Sequence, residues 1–431
     1  MNKKIGVIGL WHLGCVLSVS WAKIGYTVIG FDYDGERVSK LRNGIPPLFE
    51  PQLEEGISKG IRKGLLTFTD DINLLRECDF IFLSYDTPVN EDDSSDTTIL
   101  EESVISVKEV MKNESVLIVS SQSPVGYCSQ LRKLLKDKNH TLEIAYSPEN
   151  LRLGVAIECY LKPGRIILGT ASADAELKCK DLFSSITDSI ICMNLESAET
   201  VKHGINSFLA MSIVFANHIA DICETKKARI DDVVRGMKSD ERIGTKSYLS
   251  PGIGFSGGTL GRDLKVLDSA NIASNGFAKL FGALHNFNSE RKYSILKKIE
   301  KILERIDNKN IGILGLTYKP GTSTLRRSLP LEIAHLLLSM KGKVKVYDPK
   351  ADYTELDYEQ SFEICNNIND VAMNSDILIL LTEWDEFKNY DWPAVAHSMN
   401  RKIFFDAKNC LDENKMRRAG FAYYSIGREY E

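Results

Sequence analysis

Lys4–Asp32 reads KIGVIGLWHLGCVLSVSWAKIGYTVIGFD. An apolar run from Lys4 to Leu10 is followed by Gly14 and a helical pattern through Trp21, and a second apolar run from Tyr26 to Phe31 ends on Asp32. The order is strand, helix, strand. Its first turn, Gly9-Leu10-Trp11-His12-Leu13-Gly14, meets the dinucleotide fingerprint at the first and third glycines. It departs at the second, where Trp11 replaces the residue that lets a pyrophosphate approach the backbone. Asp32 is placed to accept hydrogen bonds from an adenosine ribose diol and to disfavour a 2′-phosphate, which predicts NAD rather than NADP. Trp11 either stands within a working cofactor site or plugs a vestigial one.

Outward from this unit the strand rhythm continues at Phe80–Ser84, Ser115–Ser120, Glu143–Tyr146 and Arg165–Gly169, with helical stretches such as Gln52–Lys63 and Ser103–Lys112 between. That is the pattern of a doubly wound parallel sheet. From Ser197 to Glu224 the sequence becomes one long helix, and a second helical region covers Phe277–Ile306. Strands resume at Asn310–Leu316, Lys343–Tyr347, Ile377–Leu381 and Lys402–Phe405, with a helix at Leu329–Met340. The expected fold is α/β, with two Rossmann-like sheets joined by a long-helix domain. The expected domains are 1–196 for NAD, 197–306 for the central helices and a substrate loop, and 307–431 for the nucleotide of a sugar substrate. The central helices are the expected connectors and the expected surface of a homodimer.

The 431 residues are 43% hydrophobic and 26% charged, with a formal net charge of -5. Basic residues form no long run, so neither nucleic acid nor a membrane is expected as partner. No order of basic, apolar and small-residue regions precedes the first strand and no apolar run reaches about 18 residues, from which a cytoplasmic location is expected. Nine scattered cysteines lack a CxxC pair, which argues against structural zinc and a disulfide framework, and the histidines show no metal spacing.

Arg242–Asp263, RIGTKSYLSPGIGFSGGTLGRD, packs six glycines around Phe255, the composition of a backbone wrapped around a polar ligand. The stretch resembles the active-site loop of the UDP-glucose/GDP-mannose dehydrogenases, usually Gly-Phe-Gly-Gly-Ser-Cys, two residues, then Lys-Asp. Thr259 stands where that family carries its catalytic cysteine. Similar motifs occur in family order along nearly the whole chain: Tyr85–Pro88, Ser147–Gly154, Glu199–Asn206, Lys319-Pro320, Leu325–Ser328, Thr382–Trp384 and Ile426–Arg428. Departures fall at Trp11, at Gln122 (usually threonine), at Leu153 (usually glutamate) and at Arg262 (usually lysine).

The resemblance implies roles residue by residue. Glu149, Lys202, Asn206, Thr259 and Asp263 would stand at the reacting sugar carbon. Gly9, Trp11, Gly14, Asp32, Arg37, Gln122, Arg262 and Arg326 would face NAD. Leu151, Arg242, Tyr248, Gly254, Phe255, Gly257 and Lys319 would hold the nucleotide sugar, with Arg242 serving the neighbouring subunit's site. Lys202 and Asn206, four apart, share a helix face, where an ammonium and a carboxamide can polarise a sugar oxygen as it gains charge. The apolar neighbours Phe208, Leu209 and Ile213 predict that this helix is mostly buried.

In the family two oxidations of a primary alcohol pass through a cysteine thioester. A threonine hydroxyl is far less acidic than a thiol and needs a strong adjacent base to attack an aldehyde. Hydride removal needs only a base, a polarising cation and NAD. The expected activity is therefore a two-electron oxidation of a nucleotide sugar, favoured as a UDP-hexose. A full 6-dehydrogenase acting through a hydrated aldehyde and a non-catalytic nucleotide-sugar binding protein are the alternatives.

Overall fold

Parallel strands buried on both faces read as unbroken apolar runs, and β1 (Lys4–Ile8) is such a strand, buried from Ile5 onward. The computed structural model describes residues 3–87, 96–135, 142–148, 151–273, 279–356 and 362–430. They form two compact units, Met1–Gly204 and Ile205–Glu431.

In the first unit β1 leads into α1 (His12–Ile24), buried on every side from Leu13 to Ala22, as expected of a helix without a polar face. Then follow β2 (Thr27–Phe31), α2 (Gly35–Arg42), α3 (Leu53–Arg62), β3 (Leu66–Thr69), β4 (Phe80–Leu83), α4 (Thr98–Lys108), β5 (Val116–Val119), α5 (Tyr127–Leu135), β6 (Glu143–Tyr146), α6 (Ala156–Leu161), β7 (Ile166–Thr170), α7 (Ala173–Phe183) and β8 (Ile190–Asn194). The eight-stranded order β3-β2-β1-β4-β5-β6-β7-β8 reverses beside β1, so the first βα turn lies at the topological switch point. One pairing departs from the parallel expectation: β6 and β7 run antiparallel, with Ala145 opposite Thr170. Apolar clusters cover both faces of the sheet, one around Trp21 and Phe82, the other around Leu83 and Tyr146.

Helix α8 (Leu195–Lys226) crosses the boundary between the units. By length and composition it could cross a membrane, with a mean hydropathy of 1.3 over 18 residues. Yet Lys202, His203, Asn206, Ser207 and Asn217 are buried along it, the polar complement of a helix packed in protein. Its burial is less complete than the sequence suggests. Phe208 is 63% exposed, and Phe215 and Ile222 are exposed with it. The second unit continues with α9 (Ile230–Lys238), α10 (Thr259–Ala273) and α11 (Leu280–Leu303). Its sheet comprises β9 (Asn310–Leu314), β10 (Lys343–Tyr347), β11 (Glu363–Ile364), β12 (Ile377–Leu380), β13 (Ile403–Asp406) and β14 (Ala422–Ser425), with α12 (Leu329–Ser339) after β9. The order is β11-β10-β9-β12-β13-β14, parallel throughout.

The glycine-rich stretch is not loop to its end. Thr259, Arg262 and Asp263 belong to the first turns of α10, a start that the neighbouring glycines mask in the sequence.

Candidate active site

In the first unit β1 delivers the chain to Gly9 at φ +90°, a left-handed conformation that favours glycine. A Cβ on Gly14 would lie 1.8 Å from the Gly9 carbonyl oxygen, so α1 can approach the strand only with glycine there. Trp11 occupies the N-cap of α1 at φ -83° and ψ -154°, an extended conformation open to any residue. Replacing the second fingerprint glycine therefore imposes no backbone strain and adds a ring, 37% exposed, over which the Arg37 guanidinium lies at 5.4 Å.

The start of α1 has neither a side-chain cap nor an acidic residue in its first turn, which leaves its N–H groups for an anion. Asp32 is buried. Its Oδ2 accepts from Leu10 N–H at 2.6 Å and Arg37 Nη1 at 2.9 Å, and its Oδ1 from Asp34 N–H at 3.0 Å. A carboxylate offers about four acceptor directions, so one on Oδ1 remains for a ribose hydroxyl. Close backbone approach, an uncapped helix start and this carboxylate fit NAD.

The loop after β5, which includes Gln122, is locked to the start of α8. Glu199 accepts from the N–H groups of Gly126 and Cys128, the latter at 2.8 Å, and His203 Nε2 pairs with the Ser123 carbonyl at 2.7 Å. Burial pushes the Glu199 carboxyl above its usual range, against the pull of those two donors. These contacts fix the turn of α8 that carries Lys202, itself 7% exposed. The Gln122 carbonyl accepts from Thr87 Oγ1 at 2.9 Å, and Leu151 packs at the edge of the first apolar cluster. Glu149 and Pro88 lie outside the described residues.

In the second unit Asn206 Nδ2 donates to Asp263 Oδ2, both groups being buried, which joins α8 to α10. Thr259 opens α10 and is exposed. Asp263, one turn on, accepts from Asn206. The loop before α10 is clamped at several points. Asn217 accepts from Gly252 N–H at 2.7 Å, and Ser256 Oγ accepts from Leu329 N–H at 3.1 Å. Asn288 receives Phe255 N–H at 2.8 Å and donates to its carbonyl at 2.9 Å, completing a backbone-like pair beside Gly254 at φ +110°. Gly257, at φ +79°, donates to the Arg327 carbonyl at 3.0 Å.

Lys319 lies over the Tyr318 ring, Arg262 is buried and Arg326 is exposed. The Arg242 side chain is 89% exposed and bonded to Asp240, and Tyr248 is exposed. A cavity of about 500 Å³ opens beside Ser250 and Pro251, with Arg235, Lys238 and Lys408 on its walls. The sequence singled out neither these cations nor Asn288, because their meeting depends on contacts remote in the chain.

At the matching position of the second sheet, Asp348 is saturated. Its Oδ2 accepts from Leu316 N–H, Thr317 N–H, Thr317 Oγ1 and Trp384 Nε1, and its Oδ1 from Lys350 and Ala351 N–H. No cysteine lies between 242 and 263, and burial raises the thiols of Cys15, Cys78, Cys128, Cys179, Cys192, Cys223, Cys365 and Cys410.

Family profiles match the chain in the same order. Residues 3–187 match the NAD binding domain of the UDP-glucose/GDP-mannose dehydrogenase family, 196–290 its central domain and 312–413 its UDP binding domain. UDP-glucose 6-dehydrogenase of Rickettsia typhi is 31% identical over 437 residues, covering 98% of this chain and 99% of its own. The chain belongs to the UDP-glucose/GDP-mannose dehydrogenase family. UDP-glucose 6-dehydrogenase TuaD of Bacillus subtilis is likewise 31% identical, over 99% of this chain and 93% of its own. A UDP-glucose dehydrogenase from Pyrobaculum islandicum superposes with a TM-score of 0.90 at 25% identity, covering 100% of this chain and 98% of that one. The protein is an NAD-dependent nucleotide-sugar dehydrogenase acting on a CH–OH group, which sets aside the reading as a non-catalytic binder.

Proposed function

We propose that this enzyme oxidises the sugar of a UDP-hexose by one hydride transfer and forms no acyl-enzyme. The observation that carries the reading is Thr259, exposed at the start of α10, while the buried Asn206–Asp263 pair is retained. NAD, when bound by the first unit, supplies the hydride acceptor. Asp32 would receive the ribose and the first turn of α1 the pyrophosphate. Lys202 and Asn206 would hold the reacting sugar oxygen and stabilise the charge it gains as its proton departs. Glu149, or a water ordered by Asp263, would accept that proton. Asn288 and Arg327 keep the glycine loop in the shape that presents Gly254, Phe255 and Gly257, and the cations Lys319 and Lys408 suit a diphosphate.

The relatives named UDP-glucose 6-dehydrogenase favour a second reading, in which a hydrated aldehyde donates a second hydride and a uronic acid results. Counting NADH formed per sugar consumed, with mass spectrometry of products from UDP-, dTDP- and GDP-sugars, separates the two. One NADH per sugar and an aldehyde or ketone product are expected. Two per sugar and an acid would establish the second reading.

A further inference from the structure

Glu50 belongs to none of the motifs above, yet its side chain is wholly buried and serves three donors. Oε2 accepts from Gly154 N–H at 2.9 Å and pairs with His12 Nε2 at 3.0 Å, and Oε1 accepts from Ala156 N–H at 2.9 Å. A carboxylate taken out of water requires donors of this number and quality. One of them, Gly154, lies in the segment between β6 and α6, and another, Ala156, opens α6. Val155, the N-cap of α6, offers no side-chain cap, so Glu50 satisfies the start of that helix from about a hundred positions upstream. The segment carries Leu151, and Gly154 within it is held at φ +91°.

The third donor belongs to the cofactor turn. His12 is the first residue of α1, beside Trp11, and its side chain is 13% exposed. Facing a carboxylate, Nε2 carries the hydrogen. One buried carboxylate thus ties the first turn of α1 to the end of the 147–154 motif and the start of α6.

We propose that Glu50 is a positioning residue which, through His12, couples NAD binding to the order of residues 151–156. The proposal rests on NAD lying at the start of α1. A pyrophosphate there excludes water from the His12–Glu50 bond, and a hydrogen bond to a carboxylate is stronger in the drier surroundings. The loop is then ordered before the sugar arrives, and the sugar pays less conformational entropy on binding. By linkage, the sugar raises the affinity for NAD by the same factor.

Hydrogen exchange of the full-length protein, followed by mass spectrometry over 151–157 with and without NAD, tests this. NAD binding to each variant is measured in parallel by calorimetry. His12→Phe keeps the ring and removes the donor, whereas His12→Gln returns an amide N–H near the Nε2 position. In the parent and in His12→Gln, NAD is expected to slow exchange at Gly154 and Ala156 by about tenfold, within the usual range of coupling between sites. In His12→Phe, NAD should bind and leave those amides unchanged. Protection persisting in His12→Phe, failure of His12→Gln to restore it, or bound NAD without protection in the parent would overturn the coupling alone. Calorimetry showing no NAD binding to the parent would instead overturn the cofactor site and the coupling with it.

Discussion

Under the proposed function Thr259 decides which half of the family's chemistry is open, because its hydroxyl lacks the acidity of a thiol and Asp263, one helical turn on, is bonded to Asn206. Turnover should then survive iodoacetamide, which alkylates thiolates, at no less than about half its starting rate, since Thr259 offers no thiol and burial raises those of Cys15, Cys128 and Cys410. Thr259→Ala should retain activity within about tenfold, while Lys202→Ala should lose about 10²–10³-fold, the usual effect of removing a group that stabilises developing charge. Steady-state rates check both. A sugar adduct on Thr259, or equal inactivity of the two variants, would make threonine the nucleophile. At this scale the sequence was legible where placement depends on residue type within a local motif, as in the buried positions of Asp32, Lys202 and Asn206. Asn288 and Glu50 stayed hidden because they act on Phe255 and on Gly154 and Ala156, partners that only the fold brings near.

Among the elements, the β1–α1 junction has the least tolerance. Gly14→Ala would force a methyl group to within 1.8 Å of the Gly9 carbonyl, so α1 must shift. The expected cost is at least about 2 kcal/mol, in the range of overpacked cores, with NAD affinity falling as the turn moves. Urea denaturation and calorimetry measure the two effects. Apolar runs revealed the central strands and the long helix, but the edge strands β3, β8, β11 and β14 are short or carry mixed burial that weakens their pattern.

Across the whole molecule, Phe208, Phe215 and Ile222 recur every seven positions along α8 and remain exposed in the single chain, the spacing of a seam between helices. We propose that a second copy of the chain covers them, and that Arg242 serves that copy's site. Light scattering should give at least twice the 48.3 kDa of one chain, and Phe215→Glu should shift the population toward monomer. A monodisperse parent monomer would reject the assembly. The two sheets of one chain differ as two copies of a design differ after long use. In the second, Asp348 is enclosed by donors of its own chain, so the architecture survives as a bracket whose recognition element has been turned inward. Strand order alone would count two cofactor readers here; the chemistry at the strand ends leaves one, and a titration with NAD should saturate at a single equivalent per chain.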